Sequence, residues 1–183
     1  MSEEFRRLER KLVYRGSIID FYKDTIQVPN GNVVKWDFID HHGAAAVVPV
    51  RDDGKILMVR QYRNALDRYT LEIPAGGLNR RPDGEKEPTL EAAVRELQEE
   101  TGYVAEKVEW LLTIRTTVAF CNEKIDIFVA TGLKPGRQHL DEDEFIRVEA
   151  YTPEELCDKI LKGEIEDSKT ISAIMSYRVK YPD

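Results

Sequence analysis

Arg95-Glu96-Leu97-Gln98-Glu99-Glu100-Thr101-Gly102-Tyr103 is the stretch on which the fold and the chemistry turn. Just upstream, Leu90, Ala93, Val94 and Leu97 recur at i, i+3, i+4 and i+7, the spacing of one buried helix face. That spacing predicts a helix over about 88–101, with Pro88 in its first turn and Gly102 as its C-terminal cap. On it Glu96, Glu99 and Glu100 stand at i, i+3 and i+4, so their side chains converge on one flank beside the apolar stripe. Each like-charge pair costs roughly 0.2–0.5 kcal/mol on an exposed helix, and more when partly buried. A divalent cation that prefers oxygen ligands, Mg²⁺ or Mn²⁺, turns the repulsion into ligation. A solvated acidic face is the plain alternative.

Upstream of the helix, 43–50 and 55–62 are near-continuous apolar runs separated by Arg51-Asp52-Asp53-Gly54, and they read as buried strands of a hairpin. Leu71-Glu72-Ile73-Pro74 is a short extended piece ending in Ala75-Gly76-Gly77. Nearer the start, 12–27 and 32–39 are β-rich and flank Pro29-Asn30-Gly31, a strong turn signal, which predicts a β-ribbon ahead of the main domain. Downstream come strands at about 108–116, 124–130 and 145–151, the last preceded by a loop rich in Gly, Pro and acid. Helices at 153–162, capped by Thr152, and at 168–179 follow. Strands interleaved with helices predict an α/β fold, a mixed sheet covered by helices. The expected division is 1–42 for the ribbon and 43–183 for the main domain.

The 183 residues are 42% hydrophobic and 33% charged, a globular composition. A chain of this length buries roughly 70% of its unfolded surface, so no disulfide or structural metal is needed. Cys121 and Cys157 read as reduced thiols. The longest uncharged apolar run, 43–50, is far short of a bilayer span, and the first residues lack a signal-peptide stretch, so the expectation is a cytoplasmic protein with no membrane contact. Net charge is −7, from 34 acidic against 27 basic residues, which argues against a nucleic acid polymer as partner.

Taken together, Gly76, Glu87 and residues 95–103 resemble the Nudix box, Gly-x5-Glu-x7-Arg-Glu-U-x-Glu-Glu-x-Gly-U, with Tyr103 as the last bulky apolar U. Ten residues separate Gly76 from Glu87 where the motif has five, so residues 78–85 contain an insertion. Insertions are inexpensive in such a loop. Glu87 has the right distance to Arg95, with Glu85 the other candidate for the first glutamate. Gln61-Tyr62-Arg63, Glu72-Ile73-Pro74-Ala75-Gly76 and Asp141-Glu142-Asp143-Glu144-Phe145-Ile146 extend the resemblance to the ADP-ribose pyrophosphatase branch, which hydrolyses nucleoside diphosphate sugars. That resemblance implies a Nudix α/β/α sandwich with an N-terminal β-ribbon exchanged in a homodimer. It also implies metal-dependent attack of water on the diphosphate of ADP-ribose or a related nucleotide sugar.

By the same resemblance Glu96, Glu99 and Glu100 are metal ligands, helped by the Ala75 carbonyl, and Glu99 and Glu100 count as catalytic. Arg95 is expected to hold the box loop through Glu87 rather than touch substrate. A late-loop glutamate completes the site, with Glu142 the candidate base and Glu144 the candidate metal ligand; a merely solvated loop is the other reading. Arg63 clamps a phosphate or ribose, with Glu72 beside it in the substrate-binding set, or is a plain surface arginine. Trp36 stacks the base across the dimer or packs in an interface. His41 and His42 have no partner at ligand spacing and read as structural. Val118 stands where members preferring ADP-ribose carry a proline, so the preferred sugar is open. The alternative to an enzyme is a Nudix-like domain that binds and senses a nucleotide sugar.

Overall fold

The computed structural model describes residues 4–140 and 145–182, which divide into two compact units. Residues 4–43 with 115–124 form one; residues 44–114 with 125–182 form the other.

The first unit is a three-stranded antiparallel sheet of β1 (Arg6–Arg15), β2 (Ile19–Gln27) and β3 (Val33–His41), in that order. The sequence suggests two β-rich stretches here; the first is two strands, broken by a turn at Gly16 whose amide donates to the Ile19 carbonyl. Only residues 12–15 of β1 fall in the expected stretch; 6–11, Arg-Arg-Leu-Glu-Arg-Lys, are mostly charged, as an exposed edge strand is, and give no apolar alternation. The 28–31 turn forms where Pro29-Asn30-Gly31 places it, with Gly31 at φ +89° and its amide on the Val28 carbonyl.

In the second unit, β4 (Ala44–Pro49) runs parallel to β9 (Lys124–Pro135) and antiparallel to β7 (Ala75–Gly77), in a four-stranded sheet ordered β7-β4-β9-β8, with β8 spanning Tyr103–Arg115. A second sheet, ordered β10-β5-β6, joins Arg147–Tyr151, Ile56–Arg63 and Arg68–Glu72. The expected hairpin of 43–50 with 55–62 therefore makes its turn, through Gly54 to Arg51, but its arms diverge into different sheets, bridged only at Val50 and Ile56. Pro49, which has no N–H for a ladder, ends β4 at that point.

β4 is buried on both faces, which is why its sequence runs Ala-Ala-Ala-Val-Val without polar alternation. Ala44, Ala46 and Val48 join a core with Ile56, Met58, Ile73, Ile127, Leu156 and Ile174, the last two from helices α2 (Pro153–Leu161) and α3 (Ser168–Lys180). Ala45 and Val47 face the opposite way, against Ala92, Ala93 and Leu97 of α1 (Thr89–Thr101). Alanines on both partners let the α1 backbone lie close on β4, and burial of Leu97 alone stabilises by roughly 1.5–3 kcal/mol. Helices thus cover both sides of the sheet, the α/β/α arrangement expected. No helix among the described residues is long and apolar enough to cross a membrane.

The α1 stripe differs from the expected one. Leu90 and Val94 are more than 40% exposed, and the buried face is Ala92, Ala93, Glu96, Leu97, Glu100 and Thr101. The contact is centred on the two alanines, which rotates the larger side chains outward and carries two glutamates in. Pro88 is the N-cap rather than a first-turn residue. Gly102 ends α1 in the left-handed region, φ +74°, with its amide on the Gln98 carbonyl and the Gln138 amide nitrogen 2.9 Å from where a Cβ would sit. Gly102→Ala is expected to lower the urea midpoint by an amount equivalent to at least about 1–2 kcal/mol. An unchanged midpoint would contradict this packing of the helix end.

Candidate active site

Arg95 stands at the centre of the α1 cluster, and all five of its N–H groups have acceptors. Nε and Nη2 each donate to Glu87 at 3.0 Å, and Nη2 also reaches the Gly77 carbonyl at 3.0 Å. Nη1 donates to Glu96 at 2.6 Å and Glu99 at 2.8 Å. The Glu87 hydrogen bonds, ahead of the charges of the others, hold the guanidinium well above its usual range, and in turn hold the Glu87 carboxyl below its own. Arg95 has no donor left for substrate, as the expected loop-holding role requires.

Glu87, not Glu85, is the partner of Arg95. The insertion folds into a small closed hairpin. The Arg81 amide donates to the Glu85 carbonyl, Gly84 turns at φ +86°, and Glu87 and Asn79 exchange bonds across its base. The five extra residues loop out of the way, and Glu87 at the hairpin's base still meets Arg95.

Two of the three helix glutamates are not on a solvated flank. Glu96 is 8% and Glu100 3% exposed, while Glu99 is half-buried. β7 explains how they fit. A methyl group on Gly76 would overlap the Glu96 carboxylate, so glycine there is a matter of space. Glu100 accepts the Ala75 amide at 3.1 Å, which ties the helix to the strand whose carbonyl the resemblance assigns to metal.

The C-terminal end of α1 is clasped from outside by 136–139. Gln138 Nε2 donates to the Glu100 carbonyl, and the Gly136 and His139 amides to those of Gly102 and Glu99. Asp141 through Glu144 follow directly, and the candidates Glu142 and Glu144 lie outside the described residues.

On β5 and β6, Arg63 and Glu72 form a two-point ion pair, Nε to Oε1 at 2.7 Å and Nη2 to Oε2 at 2.6 Å. Glu72 is only 2% exposed and also accepts from Thr70 and from Lys169 of α3. Burial pushes its carboxyl up, but the Arg63 hydrogen bonds, the Lys169 charge and hydrogen bond and the Thr70 hydroxyl outweigh it and hold it at about 2. Glu72 thus holds the Arg63 guanidinium at two points. Trp36, on β3 of the first unit, is half-exposed with Phe5 tilted against it at 6.1 Å. His41 pairs locally, its Nδ1 accepting the Gly43 amide and its Nε2 3.4 Å from Glu123.

Nothing in the sequence marks Lys169 or Gln138 as part of this arrangement, since a lysine near a helix start and a loop glutamine both read as surface. The usable signal was Asp167, whose side chain caps α3 through the Thr170 amide and fixes where Lys169 lies.

Glu96, Glu99 and Glu100 present only carboxylate oxygens, the donor set of a hard divalent cation, and one guanidinium serves three carboxylates when Glu87 is counted with Glu96 and Glu99. Among the described residues no three acidic, His or Cys side chains already converge on one point, since Arg95 draws Glu96 and Glu99 and the Ala75 amide takes Glu100. The donors fit such an ion by chemistry and proximity; side-chain rotation is what its binding requires.

Residues 40–174 match the NUDIX domain family. The chain belongs to the Nudix hydrolases. An ADP-ribose pyrophosphatase of Bacillus subtilis is 38% identical over 181 residues, spanning 98% of this chain and 95% of the relative. A methanol dehydrogenase activator of Bacillus methanolicus is 38% identical over 173 residues, 93% of this chain and 91% of the relative. A crystal structure of an ADP compounds hydrolase superposes with a TM-score of 0.83, covering 97% of this chain and 94% of the other; at 22% identity it speaks to the Nudix fold alone.

The Glu72 pair gives this Nudix hydrolase an acid-sensitive component of stability. Its folded pKa of about 2 lies below the ordinary 4.5, so the contribution is complete above 4.5 and is lost as pH falls towards 2. The difference in urea midpoint between wild type and Glu72→Gln is expected to be largest at neutral pH and to narrow below pH 4.5. A difference constant from pH 7 to 2.5 would contradict the assignment.

Proposed function

We propose that this chain hydrolyses the diphosphate linkage of ADP-ribose or a related nucleoside diphosphate sugar, releasing a nucleoside monophosphate and a sugar phosphate. The observation that carries the reading is the grouping of Glu96, Glu99 and Glu100 around Arg95 and β7, on a chain similar over nearly its full length to an ADP-ribose pyrophosphatase.

Glu96, Glu99, Glu100 and the Ala75 carbonyl, with Glu144 from the late loop, hold the divalent cation, Mg²⁺ with Mn²⁺ as a substitute. When bound, it neutralises the non-bridging oxygens of the diphosphate and acts as a Lewis acid. Arg63 binds a phosphate oxygen or ribose hydroxyl through the guanidinium edge that Glu72 leaves open. Glu142 accepts a proton from the attacking water as its oxygen bonds to phosphorus; the bridging P–O bond breaks, and its electron pair leaves with the departing phosphate. Arg95 keeps the acids in register and excludes itself from the substrate.

Residues 1–42 serve as a dimerisation unit ahead of the hydrolase domain. The sheet they build exposes Leu8, Val13, Tyr14, Ile18, Val33 and Trp36, more apolar surface than an isolated sheet sustains in water. A homodimer covers it, and Trp36 stacks the nucleobase. Val118, in the place of a proline, leaves the sugar preference to experiment.

A panel of nucleotide sugars with phosphatase-coupled phosphate release tests the reading, with ADP-ribose among the active substrates. Glu100→Gln should lower kcat at saturating Mg²⁺ by at least about a hundredfold. The amide oxygen can still accept the Ala75 amide, so the fold should survive. Glu142→Gln should lower kcat far more than it changes KM, because a base acts on the transition state. No turnover of any member of the panel, or wild-type kcat in Glu100→Gln, overturns the proposal.

A further inference from the structure

Lys169 is nine-tenths buried, on the first turn of α3, far in sequence from the box. A buried ammonium is costly unless paired, and both its partners are carboxylates: Glu72 at 2.5 Å and Asp167 at 3.0 Å. Asp167 is occupied in its own right as the α3 cap, accepting from the Thr170 amide at 3.0 Å and hydroxyl at 2.6 Å. That hydroxyl also accepts the Ile73 amide, one residue beyond Glu72. The N-terminus of α3 is therefore fastened to the end of β6 at two points, a backbone one through Thr170 and a charged one through Lys169.

The charged point bears on Arg63. A carboxylate carries lone pairs for about four hydrogen bonds, and Glu72 fills its two oxygens with Arg63 Nε on Oε1, Arg63 Nη2 on Oε2, Thr70 on Oε1 and Lys169 on Oε2. Arg63 is gripped along one side, Nε and Nη2. Both Nη1 hydrogens and the second Nη2 hydrogen are not used by Glu72, and they form the end-on edge that takes a phosphate by two parallel bonds. Arg63 also feels the charge of Glu100, so this edge lies within electrostatic range of the α1 acids. Arg63, Glu72 and Lys169 share the wall of one cleft of about 360 Å³.

We propose that Lys169 is a positioning residue for the hydrolase reaction, fixing the Glu72 carboxylate so that Arg63 presents its end-on edge to the substrate diphosphate. It touches no substrate. Without its ammonium, Glu72 keeps the full desolvation of its site but loses a charged partner, and apart from Arg63 itself only Thr70 is left to orient the carboxylate. Arg63 then samples several directions instead of one, and the ordering it requires is taken from substrate binding. The loss falls on ground-state affinity. A merely structural lysine would lower melting temperature without changing KM.

This inference rests on the nucleotide-sugar reading of the site, and the test separates the two. Steady-state kinetics are measured at saturating Mg²⁺ with the best substrate of the panel for wild type, Lys169→Met, Arg63→Ala and the double variant, with circular dichroism to check folding. Lys169→Met is expected to raise KM about tenfold while kcat falls less than about threefold. In the Arg63→Ala background the same substitution is expected to change KM less than about twofold, because its route to the substrate is already gone. If Lys169→Met does not fold, Lys169→Gln, which keeps a donor for Glu72 but not the charge, carries the same expectation. An active wild type with unchanged KM in the folded Lys169 variant, or equal effects with and without Arg63, overturns the positioning role alone. A wild type that turns over no nucleotide sugar overturns both.

Discussion

The Arg95 guanidinium is the interaction on which the site depends. It lies among Glu87, Glu96 and Glu99 and the Gly77 carbonyl, and it spends every donor there. The consequence reaches three elements at once. Glu87 fixes the end of the inserted hairpin, Gly77 fixes β7, and Glu96 and Glu99 belong to α1 itself. A lysine, with one point charge and three donors, could not span these four acceptors in a plane, so the arginine in the Arg-Glu pair of the box is required by geometry as much as by charge.

Burying carboxylates this way is costly in isolation. Glu96 and Glu100 sit on the same helix face as Ala92, Ala93 and Leu97, where an ordinary amphipathic helix would carry apolar side chains. Desolvation is offset for Glu96 by Arg95 and for Glu100 by the Ala75 amide, and the space comes from Gly76. A second offset carboxylate repeats the logic at Glu72, held by Arg63 and Lys169 at the end of β6. Both clusters are tethered to the same backbone stretch. β6 ends at Glu72 and β7 begins at Ala75, so the two are linked by two residues, Ile73 and Pro74, with Ile73 fully buried.

Much of this was legible before any coordinates. The acids of residues 95–103 could be a solvated face or a ligand set until the box around them is read, and the Glu87 to Arg95 spacing foretold the pair that forms. The fold class followed from the order of apolar runs and helical periods, and Thr152 capped its helix where expected. What the sequence hid were choices made by packing. Leu90 and Val94 look like core because they are large, yet two alanines won the interface because small side chains admit the closest approach. The first half of β1 was missed because a run of charged residues does not look like a strand, and the arms of the 51–54 turn parted because Pro49 cannot continue a ladder. Lys169 and Gln138 read as surface because their roles depend on contacts 97 and 38 residues away, and only the Asp167 cap hints at where Lys169 lies.

The central claim is that these clustered oxygens bind a divalent cation, and ligand linkage tests it without any substrate. Binding to the folded state alone stabilises by about 2.7 kcal/mol at a hundred times the dissociation constant. For a chain of this size that is a rise of several degrees in melting temperature. Thermal melts across a Mg²⁺ titration, run on wild type and on Glu96→Gln, are the direct measurement. The account predicts a saturable rise in wild type that is largely absent from the variant. A wild-type melting temperature indifferent to Mg²⁺ and Mn²⁺, or an equal rise in Glu96→Gln, would contradict it.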